Sequence, residues 1–92
     1  MSAYVVVSLT PRDADKLKAY SAAAGPTVEQ HGGRFVARGP VETLTGDSRH
    51  KIQAVIEFPS RDAALAWYNC ADYQALIPLR NEGMDCDFTL VG

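Results

Sequence analysis

Lys51-Ile52-Gln53-Ala54-Val55-Ile56-Glu57-Phe58 is the clearest strand in the sequence. Apolar residues recur at every second position, which is the period of a strand with one buried face. Pro59 and Ser60 follow directly, and Ser60 is a residue type that caps helix N-termini well. This region therefore predicts a strand that leads into a helix at Arg61–Cys70.

The rest of the chain divides into similar short segments on either side of this unit. Thr10 is predicted to cap a helix that starts at Pro11. Gly25-Pro26 is predicted to break or kink that helix before a last turn to His31. Pro78 is predicted to interrupt the helical region near the end. The other predicted elements are strands at Ala3–Leu9, Arg34–Arg38 and Met84–Val91 and a short helix at Asp72–Leu76.

The order strand, helix, strand, strand, helix, strand is typical of two split βαβ units that share one sheet. It predicts an α+β fold, a ferredoxin-like βαββαβ sandwich with a four-stranded antiparallel sheet, as a single domain over residues 1–92. Helices would cover only one face of this sheet. The predicted open face is mixed in character, with apolar and charged residues: Tyr4, Val6, Val36, Val55, Arg34, Arg38 and Glu57.

Such a face suits a self-complementary homodimer with a partly polar interface. A chain of 92 residues also has a small core, so a partner subunit would help it fold. A monomer with one half-solvated sheet face is the alternative.

Composition argues against several classes of protein. The chain has nine Lys+Arg, eleven Asp+Glu and a net charge of −2, so it lacks the clustered positive charge that nucleic acids attract. It has no apolar run near the ~20 residues of a membrane span, and its start lacks the cationic region of a signal peptide. With two cysteines and no export signal, we expect a cytoplasmic protein with reduced thiols.

The sequence carries no metal-binding spacing, phosphate-binding loop or nucleophile elbow, so no metal or other cofactor is predicted. Three residues are candidates for catalysis: His31 and Glu57 as bases and Tyr68 as a hydrogen-bonding group. Each also has a structural interpretation. His31 would interact with the last carbonyls of its helix, Glu57 would pair with Arg34 or Arg38, and Tyr68 would pack on the sheet.

Tyr20, Tyr73 and Arg80 are candidates for ligand binding. The planar fork of an arginine holds carboxylates well, and a phenol can bond to an oxygenated ring or an acid. Alternatively, Arg80 pairs with Glu82, Asp72 or an acid of a partner chain, while the tyrosines only pack.

Several stretches together resemble a bacterial family known as domain of unknown function 1330, over nearly the whole chain. The stretches are Tyr4–Val7, Leu17–Tyr20, His31–Phe35, Val55–Ser60, Ala66–Asn69 and Tyr73–Arg80. The resemblance implies a ferredoxin-like subunit that forms a dimeric α+β barrel, but no activity. The chain departs from the usual family pattern at Ser48, where an aromatic residue is common, and at His50, where proline is common. Cys70-Ala71 also stands in place of Ser-Pro.

Two functional hypotheses remain open. The first is a cofactor-independent enzyme, like the monooxygenases and isomerases of the wider fold superfamily, that acts on a small organic acid or aromatic in a pocket of the dimer. The second is a non-catalytic module that binds a small ligand or another protein. Fold alone does not choose between them.

Overall fold

The computed structural model describes residues 2–92. The strands are β1 (Ala3–Pro11), β2 (Arg34–Pro40), β3 (Ile52–Phe58) and β4 (Met84–Val91). The helices are α1 (Ala14–Gln30), α2 (Arg61–Asn69), α3 (Ala71–Gln74) and α4 (Ile77–Gly83). No helix in this range is long and apolar enough to cross a membrane.

The strands form a four-stranded antiparallel sheet in the order β2-β3-β1-β4. The predicted α+β, ferredoxin-like sandwich is thereby confirmed. The helices pack against one face, where alternate strand residues such as Val5, Val7, Ile56 and Phe58 are buried. The register sets Val5 opposite Ile56 and Val7 opposite Ala54, so that the apolar sets of β1 and β3 fall on the same face.

The start of α1 differs from the prediction. β1 continues in register with β4 as far as Pro11, opposite Met84, so Thr10 remains in the strand. Asp13 caps the helix instead, because its side chain accepts hydrogen bonds from the backbone N–H groups of Asp15 and Lys16.

Pro26 lies inside α1, so of the two predicted outcomes at Gly25-Pro26, a break or a kink, the break does not occur. Gly25 has no Cβ to meet the proline ring, which removes one of the clashes that normally end a helix before proline. Tertiary contacts hold the following turn. Val28 is buried, and the hydroxyl of Thr27 donates to the Ala24 carbonyl at 2.6 Å and accepts from the Trp67 indole at 3.0 Å.

Pro78 also sits within a helix, in the first turn of α4, where its missing N–H has no helical partner to lose. At the other end of α4, Gly83 lies against α1. A Cβ at this position would lie 2.8 Å from the backbone nitrogen of Leu17, so the close approach of the two helices requires glycine.

A β-bulge in β2 changes which side chains face the helices. Phe35 pairs with Ile56 and Ala37 pairs with Val55, so Val36 is the extra residue between them. Arg34 lies on the open face, as predicted. Arg38 pairs with Ala54 on the helix-covered face, and its predicted place on the open face is therefore wrong.

Candidate functional site

Four of the six predicted site residues meet in one group, the phenol–arginine cluster of Tyr20, Tyr68, Tyr73 and Arg80. The hydroxyls of Tyr20 and Tyr73 are 2.7 Å apart. Nη1 of Arg80 donates to the hydroxyls of Tyr68 and Tyr73, each at 3.1 Å. The cluster joins residues from α1, α2, α3 and α4, so it exists only in the folded chain.

Aromatic packing sets the positions of these groups. Tyr73 is fully buried in α3, with its ring centre 4.4 Å from that of Trp67 and 5.2 Å from that of Tyr68. The guanidinium of Arg80 lies 4.8 Å from the ring centre of Phe88 in β4, within the range of a cation–π contact.

The phenols of the cluster are neutral hydrogen-bonding groups. Burial, followed by the proximity of Tyr73, raises the pKa of Tyr20 far above its ordinary value. Burial also raises the pKa of Tyr73. Burial alone lowers the pKa of Arg80, but its bonds to Tyr68 and Tyr73 raise the pKa overall, so the guanidinium stays charged. The cluster therefore holds one cation beside two buried, neutral phenols, Tyr20 and Tyr73.

No carboxylate of the described residues neutralises this cation. None of the ion pairs within residues 2–92 includes Arg80, and Glu82 pairs with Lys16 instead. Apart from the two phenols, the only side-chain acceptor of Arg80 in this range is the amide oxygen of Asn81, at 3.4 Å from Nε. The alternative salt bridge to Glu82 or Asp72 is absent from the described residues, and one to an acid of a partner chain stays a prediction.

Two hydroxyl hydrogens of the cluster have no hydrogen-bond acceptor among the described residues. The three phenols carry three hydroxyl hydrogens, and the bond between Tyr20 and Tyr73 uses only one of them. For the other two, the described part of the chain offers no acceptor. A group with surplus donors and an unneutralised positive charge is complementary to an anion that carries several acceptor oxygens.

The cluster adjoins an apolar cavity of about 90 Å³ between α1 and the sheet. Tyr20 is the member of the cluster that lines this cavity. Trp67 and Phe88 also line it, and they contact Tyr73 and Arg80, which lie behind them. At the β2 side, the cavity is lined by the exposed residues Phe35 and Arg38. This cavity lies within one chain, whereas the sequence suggested a pocket of the dimer.

His31 and Glu57 lie apart from the cluster. Nδ1 of His31 is 2.9 Å from the carbonyl oxygen of Thr27, in the last turn of α1, which is its structural interpretation. Glu57 is on the open face, where its carboxylate accepts from Arg34 at 2.8 Å and from the Tyr4 hydroxyl at 3.1 Å. The hydrogen bond from Arg34, and then that from Tyr4, lowers the pKa of Glu57. In the isolated chain Glu57 is thus a paired carboxylate, and its role as a base covered by a facing subunit stays a prediction.

A second polar cluster, around His50, was not predicted. His50 is buried, with Nδ1 at 2.8 Å from the Thr10 hydroxyl and Nε2 at 3.2 Å from the Asp87 carboxylate. Arg49 bridges Asp85 and Asp87 beside it. Nothing local in the sequence marks this group, because its bonded partners are 36 to 40 residues apart. The described residues contain no group of three side chains suited to hold a metal ion.

A protein-family profile described as Domain of unknown function (DUF1330) matches residues 2–92. Among solved structures, a protein of unknown function from Rhodopseudomonas palustris superposes with a TM-score of 0.80 at 20% identity, over 98% of this chain and 80% of that one. A dimeric ferredoxin-like protein of unknown function from Jannaschia sp. CCS1 gives a TM-score of 0.73 at 14% identity, over 100% and 99% of the chains.

SnoaB, a cofactor-independent oxygenase from Streptomyces nogalater, gives a TM-score of 0.72 at 12% identity, over 99% of this chain and 91% of that one. No curated protein matches the chain. At these identities the structural likeness shows a shared fold and nothing further.

The pairing of Glu57 gives a test of the β2 register. Since a bonded carboxylate has a lowered pKa, Arg34→Gln should raise the pKa of Glu57 towards its ordinary value of 4.5. Stability contributed by this pair is present above that value and is lost as pH falls through the lower pKa of the folded state. The measurement is a pH titration of the Glu57 side-chain carboxyl by NMR.

Arg38→Gln is the matched control, because the bulge places Arg38 on the other face of the sheet. It should leave the pKa of Glu57 unchanged. A rise of equal size in both variants would contradict the register described above.

Proposed function

Since the chain belongs to the family described as Domain of unknown function (DUF1330), whose description names no activity, we propose a function from the site itself. Each subunit binds a small organic acid with an apolar body. The observation that supports this most directly is an Arg80 that no described carboxylate neutralises, bonded to phenols with free hydroxyl hydrogens and linked through Tyr20 to an apolar cavity.

Each part of the site matches one part of such a ligand. The apolar body occupies the space above the side chains of the covered sheet face, which is lined by residues such as Val7, Ala54 and Ile56. The acidic group lies at the end formed by Tyr20 and Phe88, where the phenol–arginine cluster begins. Bonds between charged groups and their partners are about twice as strong as neutral ones, so an acid is favoured over its amide.

The cavity is small in relation to common ligand pockets, which hold about 300 Å³ or more. The residues at its β2 side are exposed, with Phe35 at 46% of its maximal exposure, so their side chains can move apart without unpacking the core. A ligand with a narrow apolar body therefore fits this site better than one with fused rings.

Replacement of the cation tests this proposal. We expect the wild-type chain to bind hexanoate or benzoate more tightly than the corresponding amides. Arg80→Gln should weaken acid binding by about 10- to 100-fold, which corresponds to one lost charge-assisted bond. Affinity for the amides should be unchanged. Isothermal titration calorimetry measures both affinities.

Two further variants separate a specific effect from a general one. Tyr68→Phe keeps the ring and removes one donor, so it should weaken acid binding less than Arg80→Gln while leaving the core packed. Lys18→Gln removes an exposed positive charge on α1 and should change nothing. Equal binding of acids and amides, or acid binding that does not depend on Arg80, would rule the proposal out.

Catalysis without a cofactor is the second candidate function. The specific observation in its favour is that the spare phenol hydrogens, backed by Arg80, suit an oxygen on which negative charge develops. Tyr68 then acts as a donor to an enolate or phenolate oxygen of the bound ligand. His31 and Glu57 lie outside the cluster, so the cluster contributes charge stabilisation rather than a base. The fold shared with a cofactor-independent oxygenase supports this by analogy.

Turnover distinguishes the two candidates. Acids that bind in the calorimetric experiment are incubated with the protein under air, under ¹⁸O₂ and in deuterated water, and are then examined by mass spectrometry. An oxygenase incorporates ¹⁸O and an isomerase incorporates deuterium at carbon, and Tyr68→Phe should slow either reaction by about tenfold or more. Recovery of unchanged ligand would limit the protein to binding.

The open sheet face is the surface through which we propose that the chain forms a homodimer. Val6 and Val55 pair across β1 and β3 at the centre of this face and remain half-exposed in the isolated chain. Arg34, Glu57 and Tyr4 form a bonded polar group beside them. Similar solved structures are described as dimeric and ferredoxin-like. An apolar centre with a polar surround is typical of such interfaces.

Val55→Asp should convert the dimer into a monomer, because it would bury a carboxylate without a partner at the centre of the interface. Leu65→Asp is the control, since Leu65 is 44% exposed on α2, away from the sheet face. Native mass spectrometry and size-exclusion chromatography with light scattering give the subunit count. A wild-type monomer, or dissociation by Leu65→Asp alone, would contradict the proposed interface.

A further inference from the structure

A row of paired residues crosses the covered face of the sheet from one edge to the other. Arg38 in β2 pairs with Ala54 in β3, Ala54 pairs with Val7 in β1, and Val7 pairs with Phe88 in β4. All four residues line the cavity. These four residues therefore form the floor of the cavity, with smaller side chains in the middle and large ones at both ends.

At each end of this row, an arginine guanidinium lies close to a phenylalanine ring. At the β4 end, the guanidinium of Arg80 lies 4.8 Å from the ring centre of Phe88. At the β2 end, the guanidinium of Arg38 lies 5.6 Å from the ring centre of Phe35. Neither arginine belongs to any of the ion pairs found between residues 2 and 92.

The bulge at Val36 is what brings Arg38 to this position. In a regular strand, Arg34 and Arg38 would share the open face, because they are an even number of residues apart. The extra residue reverses the alternation after Phe35, so Arg34 keeps its bond to Glu57 while Arg38 turns to the cavity. Bulges often redirect side chains next to binding and active sites.

We infer that Arg38 is a second ligand-binding residue and that the natural ligand carries two acidic groups joined by an apolar spacer. This rests on the proposed function, since it takes the Arg80 end as the site of the first acidic group. The α-carbons of Arg38 and Phe88 are three strand spacings apart, or ~14 Å. The arginine side chains shorten the span between the two cations. An extended dicarboxylic acid of medium length suits this arrangement.

Matched pairs of acids test the inference by isothermal titration calorimetry. Adipate is compared with hexanoate and suberate with octanoate, so that each pair differs only by the second carboxylate. We expect at least one diacid to bind about tenfold or more tightly than its matched monoacid, as one additional charge-assisted contact would give. Arg38→Gln should remove this preference and leave the affinity for the monoacid within about twofold of wild type.

Because Arg38 is exposed, its replacement does not disturb the core. Lys18→Gln removes the same charge elsewhere on the surface and should preserve the preference for diacids. If monoacids bind through Arg80 but diacids bind no better, the proposed function stands and this inference is wrong. Equal losses in Arg38→Gln and Lys18→Gln would show general charge attraction and would also overturn it. If neither class of acid binds, both proposals fail together.

Discussion

The helical layer and the candidate site both depend on the contacts of the Trp67 indole. Its N–H donates to the hydroxyl of Thr27 at 3.0 Å, and its ring centre lies 4.4 Å from that of Tyr73. The first contact holds the turn of α1 that follows Pro26, and the second holds α3 against α2. Since Trp67 is only 1% exposed, both contacts lie in the core, where each supports the other.

The position of Arg80 follows from this arrangement. Its half-buried guanidinium loses part of its hydration, but the bonds to Tyr68 and Tyr73 outweigh that loss, since the pKa of Arg80 is raised overall. No carboxylate of the described residues pairs with it, and Glu82 bonds to Lys16 on the surface instead. The proposed function rests on this positive charge, which no described acid cancels.

Local sequence patterns were sufficient to predict the strands and to identify the family resemblance. Alternation in residues 51–58 identified β3, and the predicted four-stranded antiparallel sheet is the observed one. Pro26 was misleading about the end of α1, because tertiary contacts at Thr27 and Val28 hold a helix that local preference would end. Tyr20, Tyr73 and Arg80 were identified as candidates by residue type, but their contact could not be predicted, because 53 residues separate the two tyrosines. The face of the sheet on which Arg38 lies depends on the bulge at Val36, and the residue type at this position does not predict a bulge.

The proposed dimer interface and the proposed ligand site lie on opposite faces of the sheet. Its open face carries Val6, Val55 and the Arg34–Glu57 pair, whereas the cavity and Arg38 lie on the face beneath the helices. Contact between two open faces would therefore leave the β2 entrance of the cavity untouched. It would also support the strands from which the cavity floor is built, since Val6 and Val7, like Ala54 and Val55, are neighbours in the same strand. Association of two chains can thus stabilise the site without supplying any residue to it.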